Sequence, residues 1–337
     1  MHVISLEQHM NVPSPTRAQT AWLTLRYGMF VSFGMNTFAG CSWGDGRVPA
    51  ANFDPTHLDT DQWMEVAAEA GMKYAVLTAK HHDGFCLWPT RHTEYCVRNS
   101  PGRPDVVGRF AESCRKAGIR AGLYYSLWDR NFPNYEDDAA YCDLMFAQIE
   151  ELLTQYGDVI ELWFDGAWDK DHPTRTWQFD ETWERERTPG YSRGERWRWR
   201  ELYEMIHRLQ PDCLVVNNTS SDRPGAIKYL PVDIRTSEHF NFIYRGRRVD
   251  TRMDPVFIDE QGGKNWIAME YCTSLNPEWF FIEGRYYPHP SALAIADWLR
   301  TARNAGGNLL LNVGPDKQGS IPEYHRPFLR DAAHLSM

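Results

Sequence analysis

Two carboxylates stand where acids are costly to keep. Asp165 closes the apolar run Val159-Ile-Glu-Leu-Trp-Phe-Asp-Gly, and Glu238 closes Val232-Asp-Ile-Arg-Thr-Ser-Glu. A carboxylate at the tip of a buried strand loses hydration unless it is paired or used. The plain alternative for Asp165 is a cap on the next turn, and for Glu238 a surface or turn acid. Two carboxyl groups facing one sugar can hydrolyse a glycoside: one attacks the anomeric carbon and the other donates a proton to the leaving oxygen. Glu270, in Trp266-Ile-Ala-Met-Glu, is the rival for the proton-donor role; its other reading is a buried ion-pair partner. Nearby motifs supply histidines and aromatic rings: Lys80-His-His-Asp-Gly-Phe, Tyr124-Tyr-Ser, and Trp163 beside Asp165. Rings of Trp and Tyr suit the apolar face of a sugar, while His and Asn suit its hydroxyls.

Other chemistries fit less well. His81 and His82 are adjacent, and neighbours in an extended segment point to opposite sides, so one ion rarely takes both. HxH and HExxH spacings are absent, which argues against a metal. No GxSxG elbow suggests a serine hydrolase, and Cys86 near the two histidines is a weak sign of a thiol nucleophile. A net charge of -9 speaks against nucleic acid or an anionic membrane surface as partner. Seven cysteines without a CxxC pair read as buried thiols of a reducing compartment. With no signal-like leader and no apolar span, the expectation is a soluble cytoplasmic protein.

The elements that must position these groups alternate. Strands are predicted over 27–36, 73–79, 119–126, 159–166, 213–217, 232–238, 267–272 and 308–314. Helical spacing joins Trp63, Val66, Ala67 and Ala70, with Asp59 or Thr60 as N-cap and Gly71 after the end. It recurs at Val107, Phe110, Ala111 and Cys114 before Gly118, and from Tyr141 to Leu153 before Gly157. Helix, glycine and apolar strand thus succeed one another three times, the pattern of parallel βαβ units. Further helices are expected around Leu202–Leu209, around Ile295–Ala302, and over 322–333 with Pro322 in its first turn. The stretch 167–197 reads as a long loop carrying several tryptophans, placed to wall the site. No helix is expected between Glu238 and Trp266. Eight strands in about 300 residues imply a single α/β domain, a closed (β/α)8 TIM-like barrel over 25–337, with 1–24 as an N-terminal arm. An open doubly wound sheet is the alternative, but no GxGxxG follows the first strand. No extra C-terminal domain is expected after strand eight.

Four motifs carry a resemblance. Tyr27-Gly-Met-Phe-Val-Ser-Phe-Gly, Thr78-Ala-Lys-His-His-Asp-Gly-Phe, Leu162-Trp-Phe-Asp-Gly and Gly306-Gly-Asn-Leu-Leu-Leu-Asn-Val-Gly-Pro resemble the α-L-fucosidases of glycoside hydrolase family 29. The likeness implies a (β/α)8-like catalytic domain, a retaining mechanism and no cofactor. Asp165 then falls on the nucleophile and Glu238 on the acid/base. His81 and His82 fall on sugar-binding histidines, and Tyr125 and Trp163 on ring-contacting aromatics. Asn36 and Trp43 join them as candidate substrate contacts. Two positions depart from the family: Ser32 stands where a His is usual, and Ser42 where a Glu commonly precedes the Trp. The implied partner is a fucosylated oligosaccharide or glycoside. A related α-L-glycosidase of other sugar specificity, a non-catalytic sugar-binding barrel and a metal-dependent hydrolase stay open as alternatives, as does a homo-oligomer.

Overall fold

The computed structural model describes residues 13–336 apart from 136, 167–194, 219–226, 228, 239–242, 245–246, 249–254, 259–262, 277 and 286–289. Eight parallel strands close a barrel: β1 Tyr27–Val31, β2 Tyr74–Lys80, β3 Arg120–Ser126, β4 Glu161–Asp165, β5 Leu214–Asn217, β6 Ile234–Glu238, β7 Ala268–Ser274 and β8 Asn308–Asn312. Each strand pairs with its neighbours in sequence, and β8 returns to β1, with Tyr27 opposite Leu309. All eight predicted strands are present, most of them trimmed by one to five residues. The largest trim is at the first: residues after Val31 leave the sheet, and Met35–Ala39 form a short helical turn that carries Asn36.

Helices cover the outside. They follow β1 (Thr60–Glu69), β2 (Val106–Ala117), β3 (Asp138–Gln155), β4 (Trp199–Leu209), β7 (Ala292–Asn304) and β8 (Arg326–Ser336). Their starts are chemically marked. Asp59, Asp105, Asp137 and Ser291 each accept from backbone N–H groups of the first turn, which would otherwise be unpaired. Gly118 closes the second of these helices at φ +67°, a conformation in which a side chain is strained. The last helix starts later than predicted: Pro322 precedes a 3-10 turn at Glu323–His325, and the α-helix begins at Arg326. Between β6 and β7 the described residues form two short antiparallel pairs, Ile243–Tyr244 with Arg247–Arg248 and Val256–Ile258 with Lys264–Trp266.

The barrel interior is packed. Phe30, Tyr74, Val76, Tyr124, Trp163, Leu214, Val216, Ile234, Ala268, Cys272 and Leu310 fill it, while the opposite strand faces pack beneath the helices. Gly28 makes this possible: a Cβ there would lie 2.5 Å from the Tyr74 ring.

The predicted N-terminal arm needs correction over its described part. Arg17–Leu23 is a helix with a Thr16/Gln19 capping box, and it closes the N-terminal end of the barrel. Trp22 is fully buried against Tyr74 and donates to Glu161, its carbonyl accepts from Asn308 Nδ2 at 2.9 Å, and Gln19 Nε2 donates to the Asp233 carbonyl at 2.8 Å. Seven residues are too few to show helical periodicity beside Pro13 and Pro15, so the sequence alone leaves this plug unseen.

Candidate active site

The mouth of a parallel barrel lies at the C-terminal ends of its strands, where the loops begin. Asp165 is the last residue of β4, next to Ser126 of β3 in register. Its carboxylate is held on both oxygens. Tyr124 OH donates to Oδ2 at 2.9 Å, and Asn218 Nδ2 donates to Oδ1 at 3.2 Å. The Asn218 amide is oriented by the carboxylate, which offers it only lone pairs, and its Oδ1 in turn accepts from Thr236 Oγ1 at 2.7 Å. Burial, and next the Asp165 charge, push the Tyr124 phenol well above its ordinary pKa, so it stays a donor. His82 Nε2 stands 3.7 Å from Asp165 Oδ2.

The two histidines are locked differently. His82 Nδ1 lies 2.6 Å from Ser126 Oγ. That hydroxyl gives its one proton to the Trp128 carbonyl at 2.8 Å, so the histidine is the donor in the first bond. His81 Nδ1 lies 2.8 Å from Asn36 Nδ2. The rings sit 4.0 Å apart, centre to centre. Trp43 packs at 4.4 Å on His82, Tyr124 stacks on His81 at 5.6 Å, and Phe280 meets His81 edge-on at 4.8 Å. Burial lowers the His81 pKa to about 3, so its ring is neutral. Asp165, His81, His82 and Trp43 thus gather at one place. Glu238, partly exposed, ends β6 at the same end of the barrel, and its charge adds to the rise of the Tyr124 pKa.

Four expectations change. Tyr125 faces the helix layer, where its hydroxyl takes Lys80 Nζ at 2.9 Å and donates to Gln148 at 2.7 Å. The inward ring of that pair is Tyr124. Trp163 does point inward but sits one layer below the mouth: it is 1% exposed, its Nε1 donates to Glu270 at 2.8 Å, and it supports Tyr124 from 5.6 Å. Glu270 is sealed at the same depth, opposite Thr236 and Asn308, with Tyr74 OH on its other oxygen at 2.7 Å. Asn36 is fully buried and reaches the site only through His81. The loop over 167–194 lies outside the described residues, while the end of that stretch, Glu195–Trp197, is a 3-10 turn with Trp197 fully buried.

Sequence reading places Tyr124, Ser126 and Asn218 at strand ends but assigns them no role, and it misses Phe280. For the first, alternation along a strand gives a signal: Tyr124 and Ser126 share a face, as do Trp163 and Asp165, and the register sets those two pairs level. Among the described residues no three His, Cys, Asp or Glu side chains gather as a metal-ligand set.

The alpha-L-fucosidase family profile matches residues 7–335. The chain belongs to the α-L-fucosidase family. Alpha-L-fucosidase 1 of Arabidopsis thaliana is 32% identical over 331 residues, covering 96% of this chain and 60% of its own length. A putative alpha-L-fucosidase 1 from Oryza sativa is 34% identical over 326 residues, 92% of this chain and 56% of that one. Among solved structures, a glycoside hydrolase 29 family member from an unknown rumen bacterium superposes with a TM-score of 0.77 at 31% identity, over 96% of this chain and 57% of its own. The chain therefore spans a little over half the length of these fucosidase relatives. Of the two departures from the fucosidase pattern, Ser32 is buried behind β1, and Ser42 hydrogen-bonds Glu278, whose other oxygen takes Arg285 at 2.7 Å.

Proposed function

We propose that this chain hydrolyses α-L-fucosides with net retention, Asp165 acting as nucleophile and Glu238 as acid/base. The observation that carries the reading is the Asp165 carboxylate: it stands at the barrel mouth, held on one oxygen by Tyr124 OH and on the other by Asn218 Nδ2. Such a carboxylate is aimed, with further lone pairs for attack. In the first step Asp165 forms a bond to the anomeric carbon while protonated Glu238 gives its proton to the departing oxygen. In the second, Glu238 takes a proton from water, which displaces Asp165. Retention calls for the two carboxyl groups about 5–5.5 Å apart. Tyr124 and Asn218 hold Asp165 in place throughout, and Trp43 with the two histidines supplies a ring face and polar groups for the sugar. Family membership makes the fucoside the first substrate to try. Cytoplasmic residence is part of this reading, supported by seven free cysteines, six of them buried.

The test is hydrolysis of an aryl α-L-fucoside, with the anomer first formed read by NMR. Asp165→Gly should abolish turnover, and added azide should restore part of it by forming a fucosyl azide of inverted configuration. Undiminished turnover in that variant would remove Asp165 from the reaction. Hydrolysis of another α-L-glycoside in preference to the fucoside would redirect the substrate while leaving the carboxylates in their roles.

A further inference from the structure

One bond fixes which proton His81 carries. The Gly44 backbone N–H can only donate, and it does so to Asn36 Oδ1 at 2.7 Å. The Asn36 amide is therefore oriented, and its NH2 group faces His81 Nδ1 at 2.8 Å. An amide N–H must meet a lone pair, so Nδ1 is bare. A neutral imidazole bare at Nδ1 carries its proton on Nε2, and Nε2 has no hydrogen-bond partner among the described residues. Asn36 is fully buried, and Gly44 must be glycine for the bond to form, since a Cβ there would fall 2.7 Å from Asn36 Oδ1.

We propose that Asn36, fixed by the Gly44 N–H, is a positioning residue that holds His81 as its Nε2–H tautomer, a dedicated hydrogen-bond donor to a substrate hydroxyl oxygen. The proposal rests on the fucosidase reading for the identity of that substrate, but not for the tautomer. Neutrality follows from the setting: Tyr124, Phe280 and the His82 ring enclose His81, and burial keeps it unprotonated. Because the ring cannot gain a proton on Nδ1 without turning Asn36, it cannot switch from donor to acceptor. That would discriminate between ligands by the polarity of the group they present at this point.

Long-range proton–nitrogen NMR of the histidine rings reads the tautomer without any substrate. His81→Gln assigns the His81 signals. In the wild type, Nε2 should show the protonated, pyrrole-type shift and Nδ1 the bare, pyridine-type shift, unchanged across the neutral pH range. In Asn36→Asp, the Gly44 N–H still holds one oxygen while the other draws a proton onto Nδ1, so the two shifts should exchange or both become protonated. Hydrolysis of an aryl α-L-fucoside by that variant should fall roughly ten- to hundredfold in kcat/KM, the effect of one misplaced buried hydrogen bond. Gly44→Ala, which touches neither His81 nor the sugar, should disturb the same shifts. A wild-type His81 protonated on Nδ1, or an Asn36→Asp variant with unaltered shifts and kcat/KM, overturns the proposal. A wild type with the Nε2–H tautomer that cleaves no fucoside overturns the functional reading alone.

Discussion

The chemistry of this chain turns on how a few side chains are held. Tyr124 is the partner of Asp165 with the clearest geometry, and Tyr124→Phe removes its 2.9 Å bond while keeping the ring stacked on Trp163. Its kcat/KM on an aryl fucoside should drop about tenfold or more, a charge-assisted hydrogen bond being worth roughly 1.5–3 kcal/mol. A loss confined to KM would instead make Tyr124 a simple sugar contact. Glu238 and Glu270 separate by leaving group. Glu238→Gln should cripple fucosides with poor leaving groups far more than activated ones. Glu270→Gln should treat both alike, because Glu270 lies beneath Trp163 with both oxygens occupied. An equal loss on both substrates in Glu238→Gln would take the proton transfer away from that residue.

Among the elements, the short helix Arg17–Leu23 is the one whose worth exceeds its length. It stoppers the end of the barrel remote from the site, and Trp22 is its stopper. Trp22→Ala would empty a site lined by Tyr74 and deprive the buried Glu161 carboxyl of its donor. A loss of about 3–5 kcal/mol is expected for removing a buried tryptophan, seen as a lowered thermal midpoint. The active-site geometry lies at the opposite end, so the variant should keep its kcat/KM at temperatures where it remains folded. Parallel loss of stability and activity well below its midpoint would show that the plug also shapes the mouth.

Across the whole molecule, buried acids tie stability to pH. Burial raises Glu270 from 4.5 to about 7, and raises Asp83 from 3.8 to about 7. Glu161, inside the barrel beside Glu270, is also raised, by burial and next by the Glu270 charge. The unfolded chain releases these protons near the ordinary carboxyl values, while the folded protein keeps them to about pH 7. Between those limits the folded state binds more protons, so stability falls as pH rises. The thermal midpoint should therefore decline from pH 4.5 toward 7 by this contribution, and Glu270→Gln should flatten part of the decline. An unchanged slope in the variant would mean that Glu270 does not titrate with folding.

The sequence by itself determined the barrel, its eight strands, the placement of Asp165 and Glu238 at strand ends, and the two histidines after β2. These follow from signals local in the chain: apolar runs of strand length, helical spacing between them, and an acid or glycine where a run stops. Only the tertiary structure decided which way and how deep each side chain sits. In β3, Leu123 and Tyr125 face the helices while Tyr124 faces the barrel, yet all three are buried. A parallel strand covered on both faces has no polar side to reveal its phase, and so Tyr124 and Tyr125 read alike. Depth is hidden for a related reason. Glu270 and Glu238 both lie on buried strands, but the stagger of β6 against β7 sets Cys272, not Glu270, level with Glu238. Asn36 is the third case, since its role depends on a backbone N–H eight residues on and a ring on another strand. Asp165 itself was legible because a carboxylate ending a buried strand is conspicuous in any register; its partners became visible only when the strands were set side by side.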